Sequence, residues 1–345
     1  MKRAQGQVSW LLRMLVLLVA LGVLFVWFVI THDPERWPAL ALAQYLPYFA
    51  FLLPAAAAFV ASWWLGWVWR LVSTASLALV LTVIMGLCIG HPDEGYGHIR
   101  FMTYNVKAFL ASVRPHGFDE LALEIMLHDP DVIVMQDARE MVSVMERTKP
   151  ELYKTMMGER QVYNFGQYVV ASRLPMRDCA PGWIPYRDQK HSFVHCVLQA
   201  HGKEVDLVTV HFTTPRDGLN ATRKEGLNGL QVWSGNMNDR LVQSGVLAEH
   251  LRLMTRPRIV AGDLNAPESS MVVQTLLHTG MRDAFSSAGL GYGYTHGHSL
   301  KLGVSFLRID HILVSNDIGV QQVEVGGSVG SQHRPVIADL LLNRQ

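Results

Sequence analysis

Three apolar runs before residue 91 set the first limit on how this chain can fold. Trp10 to Ile30 is apolar except for Arg13. Ala39 to Trp64 is apolar with Gln44, Pro47 and Pro54 inside it, and Leu71 to Gly90 carries no charge. Each is long enough for the roughly 20 residues that a membrane-crossing helix requires. Three transmembrane helices are therefore expected, at about 10–30, 39–64 and 71–90. A cleaved signal peptide is the alternative for the first run, because Lys2 and Arg3 precede it, but the run exceeds a usual signal core and two further spans follow.

The positive charges set an expected orientation. Lys2, Arg3 and Arg13 flank the first span, Arg70 falls in the short loop between the second and third, and Arg36 in the other loop is offset by Asp33 and Glu35. Lys and Arg stay on the cytoplasmic side, so the N-terminus and Arg70 are expected there, with Trp63, Trp64, Trp67 and Trp69 as an interfacial belt. Three crossings then carry the rest of the chain to the far side. In a bacterium this is a multi-pass inner-membrane protein with a periplasmic or otherwise extracytoplasmic domain.

The segment His91 to His98 is polar and glycine-containing, and it reads as the exit from the membrane. Residues 1–96 form the expected anchor and 97–345 a soluble domain of a size that supports one substantial core. Five of the 30 Lys and Arg and four of the 29 Asp and Glu precede residue 97, leaving 25 of each in the soluble part. Proteins that grip nucleic-acid backbone usually carry a basic excess, so this balance disfavours that class. Cys179 and Cys196 are either a disulfide, if the domain is extracytoplasmic, or two buried thiols. Neither has the spacing of a zinc site.

Within the soluble part, apolar strands repeatedly end in chemically active side chains. Phe101 to Val106 reads as a strand delivering Asn105, and Asp131 to Asp137 as one delivering Asp137. Val205 to Phe212 carries His211, and Arg258 to Ala261 leads to Asp263 and Asn265 in a turn closed by Pro267. Phe306 to Ser315 contains Asp310, and His333 stands just before the last strand. Taken alone, Gly262-Asp263-Leu264-Asn265 also makes an ordinary Asx turn. Seven polar positions at separate strand ends are what a site assembled from sheet edges needs. Helices are expected over Asp119 to Asp129, stopped by Pro130, and from about Trp233 to Leu253, with Ser269 or Ser270 capping another that Gly280 ends. The stretch from Pro215 to Arg223 reads as a long polar loop.

In order, Thr103-Tyr104-Asn105-Val106, Asp131 to Asp137, Thr209-Val210-His211-Phe212, Gly262 to Pro267, Arg308 to Leu313 and Ser331 to Val336 resemble the motifs of the endonuclease/exonuclease/phosphatase superfamily, including its membrane-anchored bacterial members. The resemblance spans the soluble domain and implies an α/β (α+β) fold, a four-layer αββα sandwich of two mixed β-sheets with the site at one end. It also implies a divalent-metal-dependent phosphoric ester hydrolase. Asp137 would bind the metal, with Asn105 helping to hold the metal or a substrate phosphate and Gln332 near the metal. Asp263 would position or deprotonate the attacking water, and Asn265 would steady the transition state. His333, oriented by Asp310, would contact the phosphate, with His211 on its opposite side. Oxygen donors favour Mg²⁺, or Mn²⁺.

Two positions depart from the superfamily pattern: Asp137 stands where Glu is usual and Gln332 where Asp is usual. Weaker metal affinity, preference for a larger ion such as Mn²⁺ or Ca²⁺, and binding without turnover are the alternatives these departures open, and the intact Asp263 and Asp310/His333 pair favours activity. Arg216, Arg223 and Lys224 are either solvated or grip a second phosphate or headgroup. His296 and His298, two histidines with no third ligand, read as surface or supporting residues, and Arg308 and Arg334 as partners of neighbouring carboxylates. The leading expectation is a membrane-anchored phosphodiesterase or phosphatase whose substrate is a phosphate ester, with a lipid headgroup a reasonable class. A nuclease of the same fold and a catalytically degenerate binding or scaffold protein are the alternatives.

Overall fold

Several central strands are buried at every position, among them Val132–Gln136, Tyr168–Ser172 and Asp310–Ser315. Burial on both faces requires a covering layer on each side of a sheet. The computed structural model, which describes residues 2–32, 34–186 and 189–344, supplies those layers. One six-stranded sheet runs in the order Gly319–Val325, Val336–Arg344, Gly95–Asn105, Val132–Gln136, Tyr168–Ser172, Gln161–Phe165. The other runs Met281–Asp283, Asp310–Ser315, Arg258–Asp263, Lys203–His211, Gln189–Ala200, Met176–Tyr186. Both are mixed: each has one parallel pair at its centre, Asn105 beside Gln136 in the first and His211 beside Asp263 in the second.

Side chains alternate across each sheet, and the two faces do different work. The outer face of the first sheet, with Met102, Tyr104, Ile133 and Met135, packs on Phe118, Leu121 and Ile125 of the helix Gly117–His128. The second sheet turns Val208, Val210 and Val260 to Leu247 and Leu251 of the helix Leu230–Leu253. Between the sheets the interior becomes polar toward one end. Gln136 Nε2 donates to Thr103 Oγ1 at 3.1 Å and to Thr209 Oγ1 at 3.0 Å across the sandwich. Two residues further along, Asn105, His211 and Asp263 occupy the same inner face, so the polar seam leads directly to the strand tips.

The chain divides into two units between Cys88 and Ile89. The expected boundary at 96/97 lies later because Gly95 to His98 pair with the last strand, His98 opposite Leu341 and Gly95 opposite Arg344. In the first unit Gln7–Thr31 and Trp67–Ile84 are long and apolar enough to cross a membrane. A third span exists only if Pro38–Tyr45 and Phe49–Ser62, which meet at 83°, count as one. The span expected at 71–90 begins earlier and ends earlier, since Gly66 caps its start and Gly86, at φ 72°, turns the chain after Ile84. Arg70 consequently lies inside the helix Trp67–Leu79 instead of in a loop, with its Nη2 donating to Trp63 O at 3.0 Å. Large side chains such as Leu18, Phe25, Leu53 and Leu71 point outward, while Ala55, Ala58 and Ala61 are buried and Ser73 donates to Ser62 at 2.9 Å. Small and hydroxyl residues inside with apolar ones outside is the pattern of helices packed in lipid.

Two further expectations are corrected in the second unit. The polar stretch after Pro215 is a helix, Arg216–Glu225, with Asp217 in its first turn and Arg223 and Lys224 in its last. Those charges complement the helix dipole, and Gly226 in a positive-φ conformation stops it. The strand holding Asp310 begins at Asp310 itself, since the main-chain N–H groups of Phe306 and Leu307 are drawn instead to the carbonyl of His296.

A charge cluster at the edge of the first sheet makes a pH prediction. His128 Nε2 lies 3.1 Å from Glu124 and its Nδ1 3.1 Å from Glu324, and Arg100 bridges Glu324 and Asp339. The Glu124 bond, opposed in part by burial, raises the His128 pKa above its ordinary value. A raised histidine pKa contributes stability that is complete below the unfolded value near 6.5 and is lost as pH rises through the folded one. Stability of the detergent-solubilised chain should fall as pH rises above about 6.5 through the raised His128 pKa, and His128→Gln should flatten that fall by about 1 kcal/mol. An unchanged slope in the variant would show that other groups carry it.

Candidate active site

The parallel and antiparallel registers bring the strand ends into one place. His211 pairs with Asp263, and Asp263 pairs with Asp310, so these three stand in a row across the second sheet. Asn105 comes from the facing sheet and closes the gap: its Nδ2 donates to Asp263 Oδ2 at 2.8 Å. Asp263 is 1% exposed. Its other oxygen accepts the Asn265 main-chain N–H at 2.9 Å, which leaves Oδ2 facing His211 Nε2 at 3.5 Å and His333 Nε2 at 3.7 Å. Neither separation is a good hydrogen bond. The carboxylate is thus oriented by two donors and faces two imidazoles with room between them.

Each imidazole is held from behind. His333 Nδ1 donates to Asp310 Oδ2 at 2.9 Å, and the His296 ring packs against it with centroids 4.6 Å apart. His211 Nδ1 lies 2.7 Å from Gln167 Oε1, while the His211 main-chain N–H donates to the Tyr168 hydroxyl at 3.1 Å. An acceptor oxygen at Nδ1 places the proton there and leaves Nε2 with its lone pair toward Asp263. Burial pushes the His211 pKa down to about 4 against the pull of Asp263 and Asp137, and does the same to His333. Burial also pushes Asp310 up to about 6. At neutral pH the free site therefore holds neutral imidazoles over an ionised Asp310.

Asn265 sits at φ 50°, a left-handed conformation that Asn tolerates. Its Nδ2 donates to Phe212 O at 2.9 Å and its carbonyl accepts Arg240 Nη1 at 2.8 Å, which fixes the turn after Asp263. Behind this turn His311 bridges Asp283 Oδ2 at 2.7 Å and Ala266 O at 3.0 Å. Arg308 pairs with Asp283 and Glu268, as expected of a neighbour of carboxylates, whereas Arg334 instead donates to the carbonyls of Gly326 and Val325.

Asp137 occupies the tip beside Asn105 and is the most open of the group, its side chain 38% exposed. Burial raises its pKa, but the pull of His211 when protonated and of the Lys107 ammonium outweighs it and leaves the carboxyl below its ordinary value. Because Asn105 commits Nδ2 to Asp263, its Oδ1 turns the other way, 3.3 Å from the Lys107 main-chain N–H. A partly open carboxylate beside an amide oxygen fits a hard divalent cation. Asp263, Asp310 and His333 also bring one donor atom each within 4.8 Å of one another. Their donors are engaged with Asn105, Asn265 and each other, and Asp137 Oδ2 with Lys107 Nζ at 2.6 Å, but Asp137 is the carboxylate that an ion from solvent reaches most readily. Gln332 lines a cavity of about 390 Å³ beside Lys107. Arg216 and Arg223 lie exposed in the helix Arg216–Glu225, where water has free access to their side chains.

Sequence reasoning missed Lys107, Gln167, Tyr168 and His311. Lys107 directly follows the Asn105 motif and was the one within reach. Gln167 and Tyr168 belong to a hairpin turn whose contact with His211 exists only after the two sheets stack. The histidine pair at His296 and His298 is a supporting one, His296 against His333 and His298 Nε2 3.0 Å from Ser331 O.

Solved structures share this fold at low identity. An endonuclease/exonuclease/phosphatase from Bacteroides vulgatus superposes with a TM-score of 0.54 at 17% identity, covering 71% of this chain and 99% of its own. The human Nocturnin catalytic domain with bound sulfate gives 0.51 at 16%, covering 73% and 96%. A protein of the same description from Beutenbergia cavernae gives 0.50 at 16%, covering 72% of each chain. No curated protein matches the sequence. The match that decides kinship is to the family profile, which runs over residues 102–333, from the Asn105 strand to His333, and on that ground the chain belongs to the Endonuclease/Exonuclease/phosphatase family.

Proposed function

We propose that this chain is a membrane-anchored, extracytoplasmic, metal-dependent phosphoesterase that hydrolyses a lipid phosphate ester by attack of water. The observation that carries the reading is the Asp263 carboxylate, oriented by Asn105 and Asn265 and facing His211 and His333 at 3.5 and 3.7 Å. Asp263 takes a proton from a water whose oxygen bonds to phosphorus, while the ester P–O bond breaks and the departing oxygen takes a proton from a protonated imidazole to leave as the alcohol. A phosphoryl group between the imidazoles brings the negative charge that favours their protonated forms, so that each Nε2–H then donates to a phosphoryl oxygen. Asp310 steadies the charge on His333 through Nδ1. A divalent ion held by Asp137 and the Asn105 side-chain oxygen, with Gln332 nearby, would supply charge neutralisation, and Mg²⁺ or Mn²⁺ suits those donors.

Three observations support the lipid and the compartment. The cavity beside Lys107 is lined by exposed Leu110, Val113 and Val329 together with Arg114 and His298, a mixture that suits an ester with an apolar body and an anionic head. The chain's own apolar helices would keep the domain at a bilayer. Cys179 and Cys196 form a disulfide, which favours an oxidising compartment. Two crossings would leave the second unit on the Lys2 and Arg3 side, and three would place it opposite, so the disulfide favours counting the bent helix pair as a span.

The test is hydrolysis of bis-p-nitrophenyl phosphate and phospholipid by the full chain in detergent, after chelation and then with Mg²⁺ or Mn²⁺ restored. Turnover should vanish with chelator and return with metal. Silence on both esters with every ion would overturn the reading, and cleavage confined to plasmid DNA or RNA would make the protein a nuclease.

A further inference from the structure

The sequence places a cation where none was expected. Lys107 adopts φ 47° and Asp137 φ 54°, both left-handed and neither a glycine. Residues held there without glycine's freedom cost energy and persist only where surrounding structure fixes them. Here the two loops lock together: Val106 N–H donates to Gln136 O at 3.0 Å, and Ala108 N–H to Asp137 O at 2.8 Å. The result aims the Lys107 ammonium at Asp137, with Nζ 2.6 Å from Oδ2 and the lysine side chain only 18% exposed. Its charge is felt by His211, His333, His296 and Asp310 as well. It also borders the cavity that holds Arg114 and Gln332.

We propose that Lys107 and the divalent ion compete for the Asp137 carboxylate, so that metal binding displaces the ammonium toward the neighbouring cavity. The inference rests on the phosphoesterase reading for its metal, and it assigns a residue that reading does not use. One carboxylate oxygen at 2.6 Å from an ammonium cannot also give its full charge to a second cation, and a cation close to a ligand repels an incoming one. Lys107 is a positioning residue in this account: it lowers the affinity for metal and keeps a positive charge in the site beside the phosphate.

Calorimetric titration of the full chain in detergent with Mn²⁺ tests this without requiring turnover. An opposite or like charge at this range moves a neighbouring equilibrium by about one to three powers of ten. Lys107→Met should therefore bind Mn²⁺ about tenfold more tightly or better, while Lys107→Arg, which keeps the charge, should stay near the parent. Both variants keep a Cβ and an unbranched stem, so the left-handed backbone gains no new strain. Equal or weaker binding by Lys107→Met overturns the proposal, as does absence of Mn²⁺ binding in all three proteins. Turnover of bis-p-nitrophenyl phosphate on the same samples separates the two readings. An affinity difference with no turnover of that ester or of phospholipid with any ion would refute the hydrolase and keep the competition, and turnover without an affinity difference would do the reverse.

Discussion

Asp263→Asn should lower phosphodiester turnover by about 10²–10⁴-fold, the range that loss of a positioned proton acceptor usually costs. The substitution keeps size and shape and removes the charge and one acceptor. Two donors converge on the present carboxylate, Asn105 Nδ2 at 2.8 Å and Asn265 N–H at 2.9 Å. An amide can satisfy only one of them and must face the other with its own NH₂, so stability should also fall, by about 1–3 kcal/mol for a buried unsatisfied donor. The two effects are read separately, by kcat/KM on bis-p-nitrophenyl phosphate and by denaturant midpoint. A folded variant that retains turnover within tenfold of the parent would remove Asp263 from the role of base and leave the histidines to carry the chemistry.

Much of this arrangement was legible in the sequence because strands follow a local rule. Short apolar runs ending in Asn105, Asp137, His211 and Asp263 identify strand and tip together, and the structure brings all four tips to one end of the stacked sheets. What the residues could not show was partnership across space. Gln167 meets His211, and Lys107 meets Asp137, through loops whose backbone conformations depend on the packed sheets. The stretch from Pro215 to Arg223 reads as a loop in sequence because its polar composition hides the helix Arg216–Glu225, in which Asp217 at the start and Arg223 and Lys224 at the end complement the dipole. The membrane helices show the same division. Their apolar content is plain from sequence, whereas the 83° bend between Pro38–Tyr45 and Phe49–Ser62 is a property of the fold.

Gly262→Ala should be the most damaging conservative substitution in the catalytic unit. Gly262 precedes Asp263 in the central strand, flanked by Val210 on one side and His311 on the other, with φ 153°. A methyl group at its Cβ would stand 1.9 Å from the Val210 carbonyl oxygen, and that atom is main chain inside a ladder and cannot swing away. Relief requires opening the parallel pair that sets His211 opposite Asp263, so the fold and the site fail together. The expected loss is more than about 3 kcal/mol, the size that strain at a special backbone position combined with a core clash produces. Gly235→Ala in the helix Leu230–Leu253 is the control: its Cβ meets nothing within 4 Å, so the same change should stabilise by about 0.5–1 kcal/mol through helix propensity. Denaturant unfolding of both variants checks the opposite signs. If Gly262→Ala melted with the parent and kept its turnover, the tight register between His211 and Asp263 would not be what holds the site, and the geometry argued from it would have to be abandoned.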